Sequence, residues 1–481
     1  MTELRVNKES VLSCSAVLSY LHGERERRRS AYEQKETGAL RLRVPRALGV
    51  TSASFSFFTE NGQKTVAVTD AVWTGTHDAD DLYETSLPKL PVGLYFFRIS
   101  CESVIGTVYA YRVGDTVHFC EDGSTPPSFQ ISFSAFAAPA PRENFGGVIY
   151  HVFVDRFAKG SRKVPLRADA KLNPDWDHGI PEYPPYPGAH LENNVFFGGT
   201  LDGITEKLDY IASLGTSMIY LSPIFEAYSN HKYDTGDYLK VDEMFGGDEA
   251  LRRLIAEAKA RGIGILLDGV FNHTGADSVY FNKKGRYPTL GAWQSKDSPY
   301  YDWYDFQHFP DRYTAWWGIP ILPRIHPDRP SCRRFFTGEG GVIPHYAALG
   351  VAGFRLDVAD ELSDDFIADI KKTLTKQNPA ATLYGEVWED ASNKIAYDVR
   401  KRYYLGEELD GVMNYPLRTG LISYIKEGKT DALSYALLTV TANAPKRIAD
   451  AQMNLLGTHD TERVLTVLGG VGGDGLPNEE L

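Results

Sequence analysis

From residue 147 onward the chain repeats one unit: a short apolar run, a polar motif that closes it, and a longer stretch with helical spacing. The runs are Val148-Ile149-Tyr150-His151-Val152-Phe153-Val154, Ser217-Met218-Ile219-Tyr220-Leu221, Gly262-Ile263-Gly264-Ile265-Leu266-Leu267-Asp268, residues 352–357, Ala381-Thr382-Leu383-Tyr384-Gly385-Glu386, Gly411-Val412-Met413-Asn414 and Met453-Asn454-Leu455-Leu456-Gly457-Thr458. The first is apolar throughout and is expected to be buried on both faces. Between the runs, residues 201–214 place Ile204, Leu208, Ile211 and Leu214 on one helical face, and 248–261 reads as a second helix. Strands alternating with helices predict a parallel sheet closed as a barrel. In such a barrel, residues just past the strand ends line the working face.

The polar motifs fall at those ends. Gly353-Phe354-Arg355-Leu356-Asp357-Val358-Ala359-Asp360-Glu361 puts Arg355 and Asp357 two apart, so an extended strand sends both side chains to one face. A guanidinium beside Asp357 favours its ionised form, as a nucleophile requires. Read alone, the pair would be assigned to structure, as an Arg–Asp ion pair on a helix-entry loop. Three further motifs in the same position, Asp268–His273, Glu386 and His459-Asp460, favour chemistry. Glu386 is followed by Val387 and Trp388 and has no cation within four residues, so its carboxyl is expected to titrate high and stay protonated near neutrality. Trp388, two residues on, shares its face if the strand geometry continues, and its ring can stack on a flat apolar face. Asp268 and Asn272 read as loop-anchoring residues near the site.

Residues 1–130 have a different grammar. Leu40–Val44, Ala53–Phe57, Lys64–Val68, Gly93–Ile99 and Gly106–Tyr111 alternate or cluster apolar residues in short strands, which predicts an antiparallel β-sandwich. No catalytic constellation occurs there, and two roles stay open, a packing and solubility module or a carbohydrate-contacting one. Pro126-Pro127 and the Ala- and Pro-rich run at 137–141 mark a linker, assigned to 131–146. Residues 147–481 form the barrel. Its excursion at 274–344, dense in Trp293, Tyr300, Tyr301, Trp303, Tyr304, Trp316 and Trp317, is too long for a strand–helix connection and reads as an inserted lobe after the third strand.

Composition narrows the partners. A net charge of −12 argues against nucleic acid and anionic membranes. No stretch approaches the roughly 18 apolar residues of a membrane span, and no apolar run follows Met1. Cys14, Cys101, Cys120 and Cys332 show neither metal spacing nor a disulfide framework, which fits a reducing cytoplasm.

The four motifs, in this order and register at strand ends three, four, five and seven, resemble the signature regions of the α-amylase superfamily, glycoside hydrolase family 13. The resemblance implies a (β/α)8 TIM barrel and a retaining glycosidase. Asp357 is then the nucleophile, Glu386 the acid/base and Asp460 a third carboxylate that orients the sugar. Retention places the first two about 5–5.5 Å apart. By the same carry-over Arg355 steadies the nucleophile, His273 and His459 hydrogen-bond sugar hydroxyls, and Tyr233 stacks on the sugar ring. Trp388 and Glu361 join the substrate-binding set. Within the family the chain looks like the neopullulanase, cyclomaltodextrinase and maltogenic amylase group. The grounds are Tyr220-Leu221-Ser222-Pro223-Ile224-Phe225-Glu226-Ala227, Asn230-His231-Lys232-Tyr233-Asp234-Thr235, Trp316-Trp317-Gly318 and the N-terminal β module. That group's extra motif stands here as Leu322-Pro323-Arg324-Ile325-His326, with only Pro323 in common.

The implied substrate is an α-glucan, with α-1,4 bonds of maltodextrins, cyclodextrins, pullulan or starch oligosaccharides cleaved through a covalent glycosyl-enzyme. Two alternatives use the same scaffold: a 4-α-glucanotransferase with the same carboxylates, and a non-catalytic glucan-binding protein. No cofactor is required. Some family members hold calcium after the first strand, but Ala158-Lys159-Gly160-Ser161 has no such ligands, so no calcium ligand is assigned. The N-terminal module is where a homodimer would form. Seven strands are counted and Gly469-Gly470-Val471-Gly472-Gly473-Asp474-Gly475 holds no eighth. The expectation is therefore a fragment with a gap between strands one and seven.

Overall fold

In a computed structural model, residues 8–22, 25–27, 29–59, 64–113, 116–124, 129–136, 146–186, 189 and 191–469 are described. Pro126-Pro127, the Ala–Pro run at 137–141 and the tail beyond Gly469 lie outside them.

The N-terminal strands form one mainly antiparallel sheet that wraps on itself, with one parallel pair, Ala31–Glu33 beside Phe129–Ser134. Spatial order runs Thr116–Cys120, Gly106–Val113, Gly93–Ser103, Ser52–Phe58, Thr65–His77, Asp80–Ser86, Ala39–Pro45, Val17–His22, Arg25–Arg27. A bridge between Ala16 and Val117 draws its far ends together. Alternation builds this core: in Ser52–Phe58 the buried residues are Ala53, Phe55 and Phe57, and in Ala39–Pro45 they are Leu40, Leu42 and Val44. The last strand, Phe129–Ser134, continues four residues into the segment expected as linker, because it pairs with both Gly93–Ser103 and Ala31–Glu33.

The second body is a parallel sheet in chain order: Val148–Val152, Thr216–Leu221, Gly264–Gly269, Gly353–Leu356, Thr382–Gly385 and Gly411–Val412. Helices cover its outer side. Gly247–Ala260 buries Leu251, Leu254, Ile255 and Ala258. Asp364–Gln377 starts on Ser363, whose hydroxyl accepts the Phe366 N–H, and carries Asp364 and Asp365 at the positive end of the helix dipole. Gly353 is demanded by packing: a Cβ there would sit 1.8 Å from the Thr382 carbonyl oxygen of the next strand.

Four expectations are corrected. The helix expected at 201–214 is two pieces, Leu201–Glu206 and Leu208–Ser213, broken at Lys207, and Leu214 is exposed rather than on the buried face. The first parallel strand is half-exposed, not buried on both faces, because among the described residues only one of its edges is paired. The seventh run joins the sheet by a single parallel bridge, Met413 to Met453, and then continues as loop. In the lobe, Trp303 and Tyr304 are core residues, Trp303 packed with Tyr280 and Phe336 and Tyr304 with Phe281, and Trp317 alone of the seven aromatics named there is mostly exposed (77%). A cleft of about 1600 Å³, lined by Ile149, His151, Tyr384, Met453, Leu455 and His459, separates the first strand from the seventh.

Candidate active site

Strand register places the charges. Asp268, Arg355 and Tyr384 are direct neighbours on three adjacent strands, so their side chains share the inner face. Arg355 is fully buried, and four carboxylates face it. Its Nη1 donates to Asp268 Oδ1 at 3.0 Å and to Asp357 Oδ1 at 2.8 Å. Its Nη2 lies 2.9 Å from Glu386 Oε2 and 3.9 Å from Asp460 Oδ2. Behind it, Nε donates to Met413 Sδ at 3.4 Å. Burial opposes the guanidinium charge, but Asp268 and its fellow carboxylates outweigh burial and lift Arg355 well above its usual range.

Asp268 is more than a loop anchor. It accepts from Arg355, from the Tyr220 hydroxyl at 2.6 Å and from the Tyr233 hydroxyl at 2.9 Å. It thereby ties the second strand, the third strand and the loop after the second strand to the same guanidinium. Asn272 keeps the anchoring role: its carbonyl accepts from Ile325 of the lobe.

The expectation for Glu386 is overturned. Burial alone would push it up. Arg355 Nη2, the Val358 N–H at 2.8 Å and Trp388 Nε1 at 3.0 Å outweigh that and hold it below the usual carboxylate range. The cation comes from the neighbouring strand, invisible to a four-residue window. For Asp357 burial wins over Arg355, helped by Glu386 and Asp268, and its carboxyl is pushed well up. Asp460 is likewise pushed up, by burial first. The carboxylates around this guanidinium outnumber it, and the upward pressure falls on Asp357 and Asp460 rather than on Glu386. Val358, whose N–H reaches Glu386, has φ 40°, a left-handed backbone that a β-branched residue rarely adopts.

Tyr233 and His459 stack at 5.4 Å, and the Tyr233 hydroxyl meets His459 Nε2 at 2.6 Å. His459 Nδ1 is buried and free of any protein partner. Burial keeps this ring below its usual pKa and therefore neutral. His273, expected to face sugar, is turned inward: Nε2 meets the Tyr233 carbonyl at 3.2 Å, Nδ1 lies 3.4 Å from Asn272 Nδ2, and Trp316 stacks on the ring. Burial pushes it down to about 4. It buttresses Tyr233. Trp388 is half-exposed, and its inner face lies 3.7 Å from Tyr415 in a parallel stack. Glu361 accepts from Trp317 Nε1 at 3.2 Å and from the Tyr397 hydroxyl, with Arg324 3.7 Å away.

Sequence reasoning missed Tyr220, Val358, Met413, Tyr415 and Tyr397. The first four lie on or beside strands already recognised and could have been found by register. Tyr397 carries no motif at all. Among the described residues, no group of three or more His, Cys, Asp or Glu could hold a metal ion. No helix among them is long and apolar enough to cross a membrane.

A (β/α) barrel with carboxylates on a shared arginine at its strand ends is the architecture of a large class of glycoside hydrolases. Residues 151–475 match the family described as alpha amylase, catalytic domain, and the chain belongs to that family, glycoside hydrolase family 13. It is 38% identical over 378 residues to an amylopullulanase of Thermoanaerobacterium saccharolyticum, covering 69% of this chain and 28% of that protein. It is 32% identical over 378 residues to neopullulanase 2 of Thermoactinomyces vulgaris, covering 74% and 58%. Among solved structures, the type III pullulan hydrolase from Thermococcus kodakarensis superposes with TM-score 0.61 at 26% identity, over 94% of this chain and 75% of that one. The chain spans only 20–28% of the length of the amylopullulanases it matches.

Proposed function

We propose that the chain is the catalytic part of a retaining α-glucan hydrolase acting on α-1,4-glucosidic bonds, with Asp357 as nucleophile, Glu386 as acid/base and Asp460 as the carboxylate that orients the sugar. The observation that carries this reading is Arg355, which holds Asp357 by one nitrogen and lies beside Glu386 by the other. Two carboxyl groups on one fixed fork face a single anomeric centre from two sides, as double displacement needs. The relatives' names, with pullulan, cyclomaltodextrin and maltose units in common, support an α-glucan as substrate.

Protonation then has a definite course. Glu386 is held down in the free site, and its carboxyl must carry a proton before it can act as an acid. Double displacement needs that carboxyl protonated and Asp357 ionised, so substrate binding has to work against both shifts. His459 hydrogen-bonds a sugar hydroxyl, which requires its Nδ1, buried in the free site, to be uncovered on binding, and the Tyr233 ring packs against the sugar face. Transfer to a second sugar instead of water is the alternative outcome, supported by the exposed outer face of Trp388 next to Glu386. The cleft between Val148–Val152 and Met453 has the place that an eighth strand takes in a closed barrel. We divide the chain into an N-terminal β module that runs through the strand Phe129–Ser134, a linker, 135–146, and the barrel, 147–481, with its lobe at 274–344.

The test is proton NMR of fresh product from maltotriose, pullulan and β-cyclodextrin. α-Anomer appearing first is expected. β-Anomer first, or no turnover of any of the three, refutes the reading.

A further inference from the structure

The strand Phe129–Ser134 reads apolar–polar–apolar, yet all six of its residues are buried. Phe129, Ile131 and Phe133 fill the core of the N-terminal sheet. The polar face, Gln130, Ser132 and Ser134, is covered from outside the N-terminal core. Gln130 uses both ends of its amide across the interface between the two bodies. Its Nε2 donates to Ser392 Oγ at 2.8 Å, and its Oε1 accepts from Asn393 Nδ2 at 2.7 Å. Ser392 N–H in turn donates to Asp390 Oδ1 at 2.9 Å, and Asn443 Nδ2 donates to Asp390 Oδ2 at 3.0 Å. The circuit re-enters the N-terminal body at Ser30, whose hydroxyl donates to Asn443 Oδ1 at 3.2 Å. A buried amide and a buried carboxylate, each with its partners in place, hold one geometry strongly, because every alternative strands a polar group.

The segment so held has its two ends at the candidate site. Asp390 lies two residues after Trp388, which donates to Glu386. From Asn393 the chain enters a hairpin, Ile395–Ala396 with Val399–Arg400, whose tip residues Tyr397 and Asp398 have φ 51° and 62°. The Tyr397 hydroxyl reaches Glu361 at this tip. Arg400 returns to the base, donating to the Asn393 carbonyl and lying 5.7 Å over the Phe96 ring of the N-terminal sheet. Phe96 is the direct cross-strand neighbour of Gln130. Adjacent side chains of one sheet thus grip both legs of the hairpin.

We propose that the N-terminal sheet is a positioning part of the candidate active site. Through Gln130 and Ser30 it sets the segment 387–401, and so the placement of Trp388 against Glu386 and of Tyr397 against Glu361, on the side that receives the leaving or accepting sugar. The inference rests on the proposed function for its kinetic consequence, and on geometry alone for the mechanical coupling.

The experiment uses the whole chain with Gln130→Met, which keeps length and removes both hydrogen bonds. Ser392→Ala cuts the same contact from the barrel side. Amide hydrogen exchange in 388–401 should rise about tenfold or more in both variants, with 264–273 unchanged. With maltotriose, kcat/KM should fall about 10- to 100-fold. Most of that fall should lie in KM, and the share of transfer products should drop. Unchanged exchange in 388–401, or raised exchange with unchanged KM and product ratio, overturns the proposal. Wild-type chain inactive on every α-glucan tested would instead sink the functional reading, and hydrogen exchange would still decide the coupling.

Discussion

Asp357 and Asp460 face the same guanidinium, at 2.8 and 3.9 Å, from opposite kinds of backbone. Asp357 follows a strand paired on both sides, and its own N–H donates to Gly269 O. Asp460 hangs on a loop whose strand is one bridge, and its side chain is one-third exposed. The paired side is closed, with Asp268, Arg355, Asp357 and Glu386 locked in charge-assisted bonds. The strand-seven side is open and borders the cleft. Stability and reactivity are therefore divided: the closed side carries both, and the open side carries reactivity with little stability.

The sharpest way to break this comparison is chemistry without stability. Asp357→Asn should lower kcat by about four orders of magnitude or more, with the fold retained by circular dichroism. Near-normal kcat would remove it as nucleophile. Asp268→Asn and Asp460→Asn separate the sides. The first weakens a fully buried ion pair and should cost about 3 kcal/mol, read as a shift in the urea midpoint. The second should lose most activity yet stay within about 0.5 kcal/mol of wild type. Equal stability losses would show that the two sides are not built differently.

A third test concerns Glu408, a closed-side residue away from the chemistry. Burial, then Asp364, pushes its carboxyl up to about 8, with Arg402 3.4 Å away. The unfolded value is about 4.3. The folded state thus holds this proton more tightly, and its contribution is complete below about pH 4 and lost as pH rises through about 8. Glu408→Gln should be several kcal/mol, up to about 5, more stable than wild type at pH 9 and within about 1 kcal/mol of it at pH 5. The same difference at both pH values would refute the assignment. The smallest effect is at the rim. Trp388→Ala should raise KM about tenfold through the lost stacking surface. Trp388→Phe keeps a ring but removes a donor to the ionised Glu386, so the basic limb of the kcat/KM profile should move to higher pH. An unmoved limb would mean that the Nε1 contact does not tune Glu386.

Much of the site was legible because strand ends carry their residues locally. Two-residue spacing put Arg355 beside Asp357, and the four motifs came together at one mouth. What failed did so for identifiable reasons. Glu386 was read as lacking a cation because Arg355 is 31 positions away in sequence and adjacent only through strand pairing. His273 was given to the sugar, but the lobe folds Trp316 onto its ring and turns it inward. The polar face of Phe129–Ser134 gave no hint of burial, since alternation looks the same against water and against a second body.

The chain's own order of apolar runs and turn residues determined the two bodies, the parallel sheet and the identity of its carboxylates, because periodicity and spacing are local properties. Tertiary structure alone decided that Glu386 is held down while Asp357 is pushed up, which side of the site is open, and which surface of the N-terminal sheet supports the loop after Glu386. Those outcomes depend on charges and amides brought within about 3 Å from distant strands, where burial amplifies every pairing and no single stretch of sequence records it.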